Sequence, residues 1–345
     1  MIASVKGGLA LFLALLPIYG LVFHSSPLHK EMSPEPLYVS KNASKAALDN
    51  ALALWGNQGY LAAYQTLKTI NPVDQPLVSL YQPYIDDYLA KGQNSKWERD
   101  QQGAYPSNCK QKLLFVTGEL QSLPQANKFK QRLLEDKRLS NLPICAHRLT
   151  FFDPDTVLCQ RDWLGRGRLG CDLLPLAKHL KDIDFTHLVM LADGGKANVH
   201  NGIMFLDKQD TYDVFVHELA HFSGFIDEYP LSAALAERVC AGVDAPNLVF
   251  KQVGAKTTLT AKVLARTCDN HTAQAYKASN KLTFMEYHDT AYIPPQYLRA
   301  WSALLTAAPQ HPSAHLNFAQ LYEEAGNHAD SQYWRAQYQQ YLKGI

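Results

Sequence analysis

The sequence predicts an α/β section flanked on both sides by helical segments. Three observations carry this expectation. Between residues 109 and 305, short aliphatic runs alternate with helix-period segments, the order expected when strands and helices share a layered core. Before and after that section, apolar residues recur three and four apart, the spacing of one helix face. Hydrophobic residues make up 47% of the 345, enough for a sizeable core and too many for wholesale disorder.

The chain divides into four regions. Residues 1–30 read as a signal peptide or membrane anchor with its linker. Lys6 precedes the uncharged stretch Gly7–Phe23, which Pro17 interrupts, and this predicts export by a cleaved signal or a retained anchor. Residues 31–108 form a helical N-terminal region. Leu48, Leu52 and Trp55, then Tyr60, Tyr64 and Leu67, predict paired helices that resemble the tetratricopeptide kind. Leu77–Leu89 resumes the pattern, with Pro83 expected to kink or restart it.

The central region, 109–305, opens with a buried strand at Lys112–Thr117, a helix at Gln125–Leu139 and a strand at Arg148–Phe152. A short helix at Asp172–Asp182 and strands at Thr186–Leu191 and Asn201–Leu206 follow. The turn residues Asp193-Gly194-Gly195 predict that the last two strands are adjacent and antiparallel, one of them a possible edge for an extended chain. Leu231–Val239 is expected to be helical, 241–280 irregular, and Gln296–Leu305 helical. The last region, 306–345, reads as a helical hairpin turning at Gly326, similar to one tetratricopeptide repeat. A single repeat cannot bury its own apolar face, so it must pack on another part of the chain or on a partner.

Six cysteines, an even number without a CxxC pair, predict disulfides in an exported protein rather than a cysteine zinc ribbon. Nearness in sequence pairs Cys159 with Cys171 and Cys240 with Cys268. Lys+Arg 33 against Asp+Glu 32, with no basic run, argues against a nucleic-acid partner.

The stretch Val214–Tyr229, VFVHELAHFSGFIDEY, carries the chemistry. Positions four apart share a helix face, so His217 and His221 can close on one Zn²⁺ ion. Glu218 then stands beside them as a general base. Gly224 ends the helix and returns an acidic residue toward the metal. Asp227 and Glu228 are the candidates for a third ligand, since a carboxylate is a sound zinc donor. His147, His179, His187, His200 and His271 have no ligand spacing.

The pattern His217-Glu218-x-x-His221-x-x-Gly224-x-x-Asp227 resembles that of the metzincin zinc metallopeptidases, with Asp in place of a third His. The ending Asp227-Glu228-Tyr229 is similar to that of the IgA-peptidase family of bacterial zinc peptidases. Met285-Glu286-Tyr287 resembles the metzincin methionine turn and the tyrosine two residues beyond it. The resemblance implies a metzincin-like catalytic domain over 109–305: a twisted mixed sheet, a zinc helix beneath it, and an irregular C-terminal part carrying Met285. It also implies Asp227 as the third zinc ligand, with Glu228 the fallback, and Tyr287 as the donor that stabilises the oxyanion.

The expected function is therefore zinc-dependent hydrolysis of a peptide or protein substrate. The alternatives are a membrane-tethered helical scaffold with a structural or vestigial zinc site, and a zinc amidase acting on cell-wall amides. The helical flanks suggest a protein partner, residues 7–23 possible membrane anchoring. The expected location is periplasmic, membrane-anchored or secreted.

Overall fold

In the computed structural model, the residues described are 41–91, 105–146, 149–152, 156–242, 244–251, 263–307, 309 and 311–344. The stretch 7–23 lies outside them. A six-stranded, mostly parallel sheet organises the chain. Its centre is β1 (Gln111–Thr117), β6 (His187–Ala192) and β8 (Ile203–Asp207), all parallel. β2 (Ile144–Ala146) and β3 (Thr150–Phe151) pair in turn along the outer side of β1, and β7 (Asn198–His200) closes the far edge antiparallel to β8.

The central strands are buried on both faces, as parallel strands are, because their crossovers lay helices on both sides. Side chains alternate along each strand. Leu113, Phe115, Val189, Leu191, Met204 and Leu206 face one core. That core is closed by α1 (Lys41–Gly56), α2 (Tyr60–Lys68), α3 (Leu77–Lys91), α4 (Leu123–Glu135), α6 (Tyr212–His221) and α8 (Pro295–Thr306). Leu114, Val116, Leu188, Met190, Ile203 and Phe205 face the other, covered by α5 (Leu174–His179), α9 (Ala314–Glu324) and Trp334 of α10 (His328–Leu342). The α9–α10 hairpin thus packs on the chain's own sheet, burying Phe318 and Trp334. α3 runs through Pro83 as one helix.

Two expectations are corrected. β6 and β8 are adjacent but parallel, so Asp193-Gly194-Gly195 is not a hairpin turn between them. The chain leaves β6, passes to the far edge, forms β7, and returns between them as β8. The hairpin turn is Asn201-Gly202, whose positive φ values of 42° and 76° suit the tight turn joining right-twisted strands. The sheet edge on this side is therefore β7, neither of the two strands expected. Second, 241–280 is not irregular. It holds β9 (Leu248–Lys251), β10 (Val263–Ala265) and β11 (Gln274–Lys277), an antiparallel sheet in the order β10-β11-β9. With α7 (Ala233–Val239) it forms a third, smaller core.

Disulfides join Cys159 to Cys171 and Cys240 to Cys268, the two expected pairs, and Cys109 to Cys145. The first sits between facing residues of the hairpin β4 (Cys159–Gln160) and β5 (Gly170–Cys171). Three disulfides indicate an oxidising compartment. Among the described residues, no helix is long and apolar enough to cross a membrane.

His187 on β6 and His315 on α9 are buried as neutral imidazoles. Burial and the neighbouring histidines push His187 down from 6.5 to about 3, and burial pushes His315 down to about 4. Such a histidine binds a proton more readily when unfolded. Its stabilisation is complete above the unfolded value and shrinks as pH falls toward the folded one. The expected outcome is an unfolding free energy that declines below about pH 6.5, by roughly 1.4 kcal/mol per pH unit from each histidine. Guanidinium unfolding at pH 7.5 and pH 5, compared with His315→Phe, measures it; the variant should lose less on acidification.

Candidate metal centre

Helix α6 begins at Thr211, whose side-chain oxygen accepts a hydrogen bond from Val214 N at 3.2 Å. That contact satisfies one of the free N–H groups at the helix start. Phe215 anchors the helix on the core, stacked on Phe129 with ring centroids 5.4 Å apart. With that face inward, His217, Glu218 and His221 line a cleft of roughly 520 Å³ on the other side. The helix stops in a Schellman arrangement: Phe225 N donates to Ala220 O (3.3 Å) and Gly224 N to His221 O (3.1 Å). Gly224 has φ of +80°, and a Cβ there would lie 2.2 Å from His311 Nε2. The positive φ favours glycine, and a side chain there would also require His311 to shift.

The turn brings Asp227 back onto the histidines. Asp227 Oδ1 lies 3.1 Å from His217 Nε2 and 3.2 Å from His221 Nε2, and the two Nε2 atoms are 3.2 Å apart. His217 Nδ1 faces Phe284 O at 2.7 Å, and His221 Nδ1 faces Phe225 O at 2.8 Å. A carbonyl only accepts, so each Nδ1 carries the proton and each Nε2 presents a lone pair. Three electron pairs therefore converge, and Asp227 Oδ1, buried, has no directed hydrogen bond. Like-signed acceptors this close repel unless a positive charge sits among them. Without a metal, a proton is drawn in. Burial disfavours charge on His221, but the Asp227 carboxylate outweighs it and pushes its pKa up to about 9. Burial likewise opposes ionisation of Asp227, yet the two imidazoles hold it far below the usual carboxylate range. His217, His221 and Asp227 form a buried group that could hold a metal ion. Among the described residues, no other His, Cys, Asp or Glu joins them.

Glu218 is 8% exposed and lines the same cleft. Burial raises its pKa above the ordinary 4.5, against the pull of both histidines. Met285 is fully buried in a tight turn, closed by Glu286 N and Tyr287 N donating to Thr283 O at 3.0 Å each. The preceding carbonyl, Phe284 O, is the one that orients His217.

The alternative ligand, Glu228, points the other way. It is fully buried and accepts from Asn247 Nδ2 (3.0 Å), Tyr297 Oη (2.6 Å) and Thr283 Oγ1 (2.5 Å). Lys277 Nζ stands 3.6 Å away and also pairs with Glu286. Glu228 N donates to Met285 O at 2.8 Å. One carboxylate thus ties the ligand loop to the three-stranded sheet, the methionine turn and α8. Asn247 also holds Ile226 at both N and O, and Thr267 Oγ1 donates to Asp227 O.

Tyr287 is 49% exposed and is not among the residues lining the cleft, although His288 beside it is. Tyr229 lines the cleft, its ring stacked over His217 at 6.5 Å, and burial beside the Asp227 carboxylate raises its pKa well above the ordinary phenol value. Sequence reasoning noted Tyr229 in the Asp-Glu-Tyr ending but gave it no role, and passed over Asn247, Thr267, Thr283 and Tyr297. For Tyr229 the signal was its place two residues after Asp227. The others come from 19 to 69 residues away from Glu228 or Asp227, with no local pattern to mark them.

Glu228→Gln removes the charge facing Lys277 inside a closed network. The expected loss of unfolding free energy is about 3 kcal/mol, measured by denaturant unfolding. Glu237→Gln, a carboxylate that is 78% exposed, should change it by less than about 0.5 kcal/mol. Compared with protein-family models, curated proteins and solved structures, the chain matches none.

Proposed function

We propose that the chain is a zinc-dependent peptidase of metzincin-like type. One observation carries the reading: two imidazole nitrogens and a carboxylate oxygen, mutually 3.1–3.2 Å apart, converge beside a buried glutamate in an open cleft. Nitrogen and oxygen donors about 2.0–2.1 Å from a shared tetrahedral zinc stand about 3.3 Å apart, so the donor set fits that ion. A structural site is closed by four protein ligands, whereas three leave a position for water or substrate. Three donors and an adjacent acid therefore favour catalysis over a structural zinc. The tight turn at Met285, linked through Phe284 O to His217, supports the metzincin likeness.

His217, His221 and Asp227 would hold the zinc, each histidine fixed by a backbone carbonyl. Bound there, zinc supplies Lewis-acid polarisation and acidifies water. Glu218 takes the proton from the attacking water and hands it to the leaving amine. Its raised affinity for a proton suits both steps. Tyr229 is the hydroxyl within the cleft and is assigned the oxyanion role; Tyr287 is the competing candidate. The free edge at β7 lines the cleft through Val199 and His200, where an extended substrate chain can lie. The flanking helices are read as tetratricopeptide-like pairs, and the protein as exported, in keeping with its disulfides.

Glu218→Gln should retain zinc by elemental analysis and lose peptide hydrolysis; full activity in that variant would sink the mechanism. His217→Ala and Asp227→Ala should lose zinc. Tyr229→Phe should lower kcat about 10²-fold, and Tyr287→Phe by much less. The reverse order returns the role to Tyr287.

A further inference from the structure

We propose that Arg168 and Lys196 form a subsite for a substrate carboxylate at the side of the cleft, selecting peptides that carry an acidic group near the scissile bond. The inference rests on the peptidase reading for its substrate class, and on the following geometry for its charge.

Both side chains line the cleft that holds Glu218 and Asp227, and both are exposed. They come from separate segments that the backbone clamps together. Leu169 N donates to Lys196 O at 3.3 Å. Asn198 Nδ2, 7% exposed, donates to Leu169 O at 2.9 Å and Lys196 O at 3.1 Å. Trp163 N donates to Arg168 O at 2.9 Å. The Cys159–Cys171 disulfide staples the hairpin carrying Arg168. The backbones of the two cationic residues are thus fixed beside the catalytic helix, which removes much of the ordering cost of binding.

Two nearby cations are already engaged by an acid. Arg161 and Lys208 both pair with Asp193. Among the described residues, neither Arg168 nor Lys196 has an ion pair or a side-chain hydrogen bond. The acidic groups of the cleft have other tasks. Asp227 belongs to the metal group, Glu218 is the base, and Asp210 is held by Asp207 N at 2.7 Å and pushed by burial to about 7. A carboxylate entering the cleft meets two unpaired donors, one of them a planar fork matched to it.

The carboxylate can be an Asp or Glu side chain or the terminus of the substrate. Three sets of quenched-fluorescent peptides separate these: end-blocked peptides with one Glu at each position in turn, the same with Gln, and the Gln set with a free C-terminus. With zinc-loaded wild-type protein, the best Glu or free-terminus peptide should exceed its neutral match in kcat/KM by about tenfold. A gain confined to the Glu set identifies a side-chain carboxylate; a gain confined to free termini identifies a chain end. Arg168→Gln/Lys196→Gln should bring the acidic peptide down to the neutral one. Arg168→Glu/Lys196→Glu should turn the preference toward a Lys-bearing peptide, a gain that misfolding cannot produce. Equal, measurable rates in the wild type, or a preference that survives the double Gln substitution, overturn the proposal, as does equal binding of the acidic and neutral peptides where no hydrolysis occurs. Binding of the same peptides to Glu218→Gln protein by fluorescence anisotropy keeps the two readings apart. Tighter binding of the acidic peptide without wild-type hydrolysis defeats the peptidase reading and leaves the subsite standing.

Discussion

Two adjacent carboxylates facing opposite ways set the geometry on which the site depends. Asp227 points into the cleft at the two imidazoles; Glu228 points into the interior and is fully buried. The chain bends at Glu228 and Tyr229, and this turns the two carboxylates apart. The inward acid accepts three hydrogen bonds and faces Lys277, so its burial is compensated group by group. Because those partners sit on the small sheet, the methionine turn and α8, the outward acid is fixed relative to all three. The third donor is positioned by the residue next to it.

The large sheet fixes the other two donors. α6 is held through Phe215 against Phe115 and Phe129, so His217 and His221 inherit the position of β1 and α4. The flanking helices belong to the same construction. α1–α3 close one face of the sheet and the α9–α10 hairpin covers the other. A helical pair that would be unstable alone is buried on β6 and β8 through Phe318, Ala319 and Trp334. The small sheet, with its own core and disulfide, bears on the site through Lys277 of β11 and Asn247 beside β9, both against Glu228.

The cleft between these parts is electrically uneven. Asp227 is committed to the histidines and Asp210 to a backbone N–H, while Arg168 and Lys196 carry no ion pair among the described residues. Three donors draw a positive charge among them, while Arg168 and Lys196 stand exposed at the side. The same disulfide-stapled hairpin that carries Arg168 lies against the start of β7, so the edge strand and the cationic wall are one structural unit.

The sequence by itself determined the local chemistry of this protein. HELAH on a helix puts His217, Glu218 and His221 on one face because the helix repeat is fixed, and Gly224 marks the reversal because no other residue takes that φ without strain. The main strands and helices were legible for the same reason: period two and period 3.6 are local properties. Tertiary structure decided the rest. Whether β6 and β8 run parallel depends on where β7 is inserted, a long-range pairing that no turn signal encodes. The small sheet within 241–280 escaped because its strands are short and its core is shared with α7. Asp227 and Glu228 are chemically interchangeable in sequence. Only the burial of Lys277, Asn247 and Tyr297 around one of them leaves the other free to meet the histidines.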